Sequence, residues 1–99
     1  SVFNLTAQNK FTSYHTNGKV VEIGTITNGE KTGTWIRYDE AGNKIAEAYF
    51  INGKRDGKWI IWDSNGIKRY ELTYTLDKKT GEWLMFDEKG ILKESRNYN

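Results

Sequence analysis

Residues 52–74 read NGKRDGKWIIWDSNGIKRYELTY, and the same grammar recurs on both sides of them at a spacing of 24 residues. Gly33, Gly57 and Gly81 stand at that spacing, as do Trp35, Trp59 and Trp83. So do the aromatics Tyr38, Trp62 and Phe86, the acids Asp39, Asp63 and Asp87, and the glycines Gly42, Gly66 and Gly90. Phe50, Tyr74 and Tyr98 close the units. A fixed period of this length is the signature of a repeat architecture in which each unit is one supersecondary element. One step back, Phe11, Tyr14, Gly18 and Ile26 form a weaker copy in which His15 takes the place of the acid. A further step aligns Val2 with Ile26 and Asn4 with Asn28. The expected organisation is one repeat domain over 1–99: a partial leading repeat at 1–10, a degenerate one at 11–27, and well-formed ones at 28–51, 52–75 and 76–99.

Within each unit the pattern is strand, tight turn, strand, looser turn. TWIRY, KWIIW and EWLMF are short, aromatic and rich in β-branched residues, which suits a pleated, half-buried surface. DEAGN, DSNGI and DEKGI open with an Asp whose carboxylate can cap backbone amides, and a Gly follows three residues later where the turn's bulge needs positive φ. KIAEAYF, KRYELTY and LKESRNY return as second strands, and INGKRDGK and LDKKTGE connect the units. No window carries apolar residues at helical spacing. The prediction is all-β: a single-layer, twisted or curled antiparallel meander of about eight strands, without helices.

Composition bounds the chemistry. The 99 residues hold one small domain's worth of core, and a deep cavity for a large cofactor is not expected. Zero cysteines exclude disulfides, a thiolate nucleophile and Cys-ligated metal. Fifteen Lys and Arg against thirteen Asp and Glu leave a net charge of +2, too little to indicate a nucleic-acid binder. No apolar run reaches the ~18 residues of a membrane-spanning helix. The opening Ser1-Val2-Phe3, without Met or a charged-then-apolar leader, suggests a removed signal or an excised piece. The compartment, cytoplasmic or exported to the cell envelope, stays open.

The units NGEKTGTWIRYDEAGNKIAEAYF, NGKRDGKWIIWDSNGIKRYELTY and DKKTGEWLMFDEKGILKESRNY resemble MORN-variant repeats, closely over 28–98 and loosely over 11–27. Such repeats occur in bacterial proteins labelled as antitoxin components of toxin–antitoxin systems, and in exported, membrane-associated and scaffold proteins. The resemblance implies interaction more than chemistry and brings no catalytic residue with it. Related repeats are associated with protein scaffolding and, in some cases, with acidic phospholipids.

If each Asp-initiated turn pairs Tyr38 near Lys44 and Ile36 near Ala46, alternation sorts the side chains into two faces. One, largely apolar, would gather Ile36, Ala46, Ala48, Phe50, Ile60, Trp62, Tyr70, Leu72, Tyr74, Leu84, Phe86 and Tyr98, with Tyr14, Val20 and Ile26. The other would carry Phe11, Trp35, Trp59 and Trp83 among Arg37, Glu47, Arg69, Glu71 and Lys93, and be half wet. With no helix as a lid, the apolar side must be covered by curling, by the opening segment with Val2, Phe3 and Leu5, or by another chain. Candidate partner-binding residues are therefore Trp35, Trp59, Trp83, Tyr38, Trp62 and Phe86. Aromatics of this kind offer large contact area with few rotors to freeze, and Trp59, in the most regular unit, is the best single candidate. Packing of the same tryptophans as scaffold is the competing reading.

The rims segregate charge. The within-unit turns carry Asp39, Glu40, Asp63, Asp87 and Glu88 against Lys89. The between-unit connections form a basic rim of Lys31, Lys54, Arg55, Lys58, Lys78 and Lys79 against Glu30, Asp56, Asp77 and Glu82. Asp39, Asp63 and Asp87, about 10 Å apart on alternate strands, cannot converge on one ion and read as turn formers. The single histidine, His15, reads as a turn residue too. No catalytic residue, metal or cofactor is expected, and a glycosidase or protease is disfavoured because no pocket would desolvate paired acids such as Glu47 and Glu71. Nucleic acid is not expected either, since Glu47, Glu71 and Glu94 interrupt the aromatic surface.

The expected function is a non-enzymatic protein-interaction module, antitoxin-like or part of a cell-envelope scaffold. The alternative is a surface module holding anionic lipid or glycan through the basic rim and aromatic ladder. Self-association is a further expectation, through the sheet face or the N-terminal edge: the last strand carries Lys93, Glu94 and Arg96, which discourage edge pairing, and the first is less protected.

Overall fold

A computed structural model describes residues 8–99, and over them the chain is a single antiparallel sheet. The strands are β1 (Gln8–Tyr14), β2 (Val20–Thr27), β3 (Glu30–Tyr38), β4 (Lys44–Ile51), β5 (Lys54–Arg55), β6 (Gly57–Trp62), β7 (Lys68–Thr75), β8 (Lys78–Lys79), β9 (Gly81–Phe86) and β10 (Leu92–Tyr98). Eight principal strands lie side by side in chain order, β1-β2-β3-β4-β6-β7-β9-β10, with the two-residue β5 and β8 paired to β4 and β7. No helix occurs among the described residues. The predicted meander is the observed one. Val2, Phe3 and Leu5, and most of the leading partial repeat, lie outside the described residues.

Two turn types build the meander. Asp39, Asp63 and Asp87 each accept two backbone amides on Oδ1, from the residues two and four positions on; for Asp39 these are Ala41 N at 3.0 Å and Asn43 N at 2.8 Å. Gly42, Gly66 and Gly90 then take φ of 93°, 81° and 83°, where a side chain would be strained. The between-unit turns are two-residue hairpins with both central residues at positive φ: Asn28-Gly29, Asn52-Gly53 and Leu76-Asp77. Asn-Gly is the preferred dipeptide for that geometry, and Leu76-Asp77 departs from it.

The register after each Asp turn differs from the predicted one by a further bulge, beyond the one expected at the turn glycine. Tyr38 pairs with Lys44 as expected, but Arg37 then pairs with Ala46 and Ile36 with Glu47. The ladder shifts in the same way between Ile61 and Trp62 and between Leu92 and Glu94. One extra residue in each second strand carries every later side chain to the opposite face. Phe50, Tyr74, Tyr98, Ala46, Ala48, Tyr70 and Leu72 therefore join the tryptophans, and the tryptophan side is the apolar one, not the half-wet one. Tyr38, Trp62, Phe86, Ile36, Ile60 and Leu84 share the other side with Glu47 and Glu71.

The sheet measures 54 × 40 × 12 Å, so its thickness is that of one layer. Only Trp35, at 2% exposure, and Tyr74, at 8%, are buried among the described residues. Stability comes from half-buried cross-strand contacts rather than from a core enclosed on two sides.

Candidate functional site

Gly33, Gly57 and Gly81 precede the tryptophans by two residues and pair across the ladder with Phe50, Tyr74 and Tyr98. Glycine is required there by the backbone, since φ is 72°, 68° and 65° at the three positions, a region that side chains enter only with strain. The rings form a continuous ribbon across the strands. Centroids are 5.5 Å apart for Phe11–Trp35, 6.4 Å for Trp35–Phe50, 5.2 Å for Phe50–Trp59 and 5.3 Å for Trp59–Tyr74. Tyr74–Trp83 at 5.1 Å and Trp83–Tyr98 at 5.2 Å complete it. All six pairs are tilted or edge-on, the arrangements that bring positive ring edges to negative faces.

Three cations cap this ribbon. Lys31 Nζ lies 4.6 Å from the Trp35 ring and 5.2 Å from Phe50. The Arg55 guanidinium lies 4.5 Å from the Tyr74 ring, and Lys79 Nζ 5.1 Å from Trp83 and 5.4 Å from Tyr98. Lys31, Arg55 and Lys79 keep the 24-residue period two positions before the glycines, so the sequence carries the signal of a repeated cation as well as of a basic rim. Two of them also hold acids. Lys31 pairs with Glu22 at 3.4 Å, and Arg55 Nε donates to Asp77 Oδ1 at 3.0 Å. The same Asp77 oxygen accepts Arg55 N at 2.8 Å, and these bonds hold the Asp77 carboxyl below its ordinary value. Asp77 N in turn donates to Arg55 O at 2.8 Å, as Gly53 N does to Lys31 O one repeat earlier at 2.8 Å.

Beside the ribbon runs an apolar trough. Its larger part, about 350 Å³, has a floor of Ile61, Tyr70, Leu72 and Met85, with Trp83 and Tyr98 along one side and Glu94 and Arg96 at the end. A second hollow of about 240 Å³ continues it past Ile61 to Ala46, Ala48 and Arg37. Tyr70 is exposed at 37%.

The predicted partner-binding set is thus divided. Trp35, Trp59 and Trp83 stand on the trough side, whereas Tyr38, Trp62 and Phe86 stand on the opposite side, where Lys44 Nζ covers the Trp62 ring at 5.0 Å and Lys68 Nζ the Phe86 ring at 5.2 Å. Lys44 also pairs with Glu47, and Lys68 and Lys58 both reach Glu71 at 2.8 Å. Those two ammonium groups, Lys58 first, hold the Glu71 carboxyl below its usual range. Lys58 therefore sits on a strand facing Glu71 and is not a rim residue. Lys54 and Lys78 remain exposed at the between-unit turns. His15 occupies a turn and places Nε2 3.1 Å from the Tyr38 carbonyl, so that Nε2–H donates across the repeat boundary. Among the described residues no three His, Asp or Glu side chains cluster as metal ligands, and no helix is long and apolar enough to cross a membrane.

A single sheet of β-hairpin repeats, with one aromatic ribbon and a trough beside it, defines a repeat protein of the open-sheet kind. The chain matches the MORN repeat variant family at residues 8–28, 31–52, 55–75 and 79–99, and it belongs to that family. Repeats of this type are in general protein- or membrane-binding modules. No protein of curated function and no solved structure matches the chain.

Proposed function

We propose that the chain is a non-enzymatic protein-interaction module that docks its partner on the tryptophan-bearing face. The observation that carries this reading is the apolar trough of Ile61, Tyr70, Leu72 and Met85 lying open on a sheet only 12 Å thick. No second layer of the described chain covers it, and an apolar patch rimmed by charge marks an interaction surface. Capping of a toxin, antitoxin-fashion, and a place in a cell-envelope scaffold are the two settings that suit such a module. Attachment to anionic lipid or glycan through the rim is the weaker reading. Of the six cations that the sequence assigns to the rim, Lys31 and Arg55 already hold acids, Lys79 lies over two rings, and Lys58 is off the rim, paired with Glu71.

Capture from the native source tests the assignment, with wild type beside Trp59→Ala, Leu72→Glu in the trough and a Lys54→Glu/Lys78→Glu rim variant. Loss of a specific protein partner with the first two and retention with the third is the expected result. Equal recovery by all three would remove the trough as the docking site. A rim-dependent, salt-sensitive attachment to anionic vesicles would favour the lipid reading instead.

A further inference from the structure

Over the six principal strands from β3 to β10, the side chains on the tryptophan face are self-complementary about a line between β6 and β7, with β1 and β2 beyond the overlap. Along the row beside the ribbon, the successive strands β3, β4, β6, β7, β9 and β10 present Arg37, Ala46, Ile61, Tyr70, Met85 and Glu94. A two-fold axis parallel to the strands and midway between β6 and β7 lays this row over itself in reverse. Arg37 then meets Glu94, Ala46 meets Met85 and Ile61 meets Tyr70. Opposite charges meet at each end, and a small side chain meets a large one further in. The neighbouring row behaves alike: Ala48 meets Trp83 and Trp59 meets Leu72.

We propose that the occupant of this face is a second copy of the chain, packed face to face about that axis into a two-layer sandwich. The inference rests on the tryptophan face being the docking surface and names its partner. Three observations carry it. Arg37 is exposed and has no salt-bridge partner among the described residues, while Glu94 and Arg96 pair only with each other, 2.7 Å apart on one edge strand. The face is open, and its 54 × 40 Å outline exceeds the ~800 Å² per partner that a standard interface takes. Stacked sheets settle about 10 Å apart, a gap that interdigitating Trp against Ala and Met against Ala fills. Pairing supplies the second layer that a one-sided apolar sheet otherwise lacks.

Sedimentation equilibrium of the full chain over about 1–300 µM tests the pairing, with folding of every variant checked by circular dichroism. A dimer is expected. Arg37→Glu and Glu94→Arg should each weaken association about tenfold or more, because the symmetry repeats every like-charge contact twice. The double variant R37E/E94R should restore it to near the wild-type value. Leu72→Glu should leave a monomer. A wild-type monomer throughout the range overturns the inference, and so does a dimer indifferent to Leu72→Glu or one not rescued by the double exchange. A monomer that still loses another protein through Leu72→Glu sinks self-pairing while leaving the proposed docking role intact.

Discussion

Trp35 and Trp83 hold the same position two repeats apart, yet they are seated differently. Trp83 Nε1 donates to the Thr73 carbonyl on the preceding strand at 2.8 Å, and Trp59 does the same to Tyr49 at 3.1 Å. The equivalent acceptor for Trp35 would be Thr25, but its Nε1 donates to Thr32, three residues back on its own strand, at 3.2 Å. The cause lies across the ladder. Gly24 occupies the position that Ala48 and Leu72 hold in later repeats, and a Cβ built there would enter the Trp35 ring. With no side chain beneath it, the indole lies flat on the backbone and is buried to 2% exposure, while Trp59 and Trp83 stay half-buried. One position therefore decides whether a repeat tryptophan acts as core or remains part of an exposed surface.

The sharpest way to break this contrast is to remove the rings themselves. Trp35→Ala should cost about 3–5 kcal/mol, the range for a buried large aromatic, whereas Trp59→Ala should cost clearly less; denaturant midpoints of the two variants measure the gap. Next in size, Gly24→Ala should destabilise by about 1–3 kcal/mol through overpacking, although Gly24 has no positive φ and the substitution is otherwise mild. It should also move the indole fluorescence of Trp35, and an unshifted spectrum with unchanged stability would contradict the flat seating.

A smaller effect compares the between-unit turns. Leu76 sits at φ 44° where the earlier repeats have Asn28 and Asn52, and its side chain is half exposed. Leu76→Asn should stabilise the protein by about 1 kcal/mol, since Asn tolerates the left-handed region far better. Thermal melting would register the gain, and a lower midpoint would indicate that Leu76 is held by contacts rather than tolerated.

The smallest effect is a dependence on pH. Asp39, Glu71, Asp77 and Asp87 are held below their ordinary carboxyl values, Asp39 and Asp87 chiefly by turn amides and Glu71 chiefly by Lys58. Because the folded state binds these protons more weakly than the unfolded one, their stabilisation is complete above the usual carboxylate range. It is lost as pH falls through the lowered folded values. Melting midpoints should decline on that acid limb, and Glu71→Gln should make the decline shallower.

Much of this was legible beforehand. The period, the strands, the Asp-capped turns and the expectation that one face would lack a cover all follow from residues such as Asp63, Gly66 and Trp59 read locally. The allocation of faces was not. Tyr38 opposite Lys44 was readable from the turn, but the bulge beyond it was not, and it moved Phe50 and Tyr74 to the tryptophan side. Lys44 with Glu47, and Lys68 with Glu71, were a usable hint: three residues apart on a regular strand they would point to opposite faces, and they pair because the bulge intervenes. The basic rim fared similarly, since position along the chain placed Lys58 among the turns while its strand turns it toward Glu71.

Read alone, the chain established a β-hairpin repeat, because hairpin turns and strand preference are set by neighbours a few residues apart. Only the assembled sheet decided which rings touch, which cations cap them and where the trough opens. Those outcomes hang on cross-strand register, and with a side-chain period of two a single inserted residue reverses them.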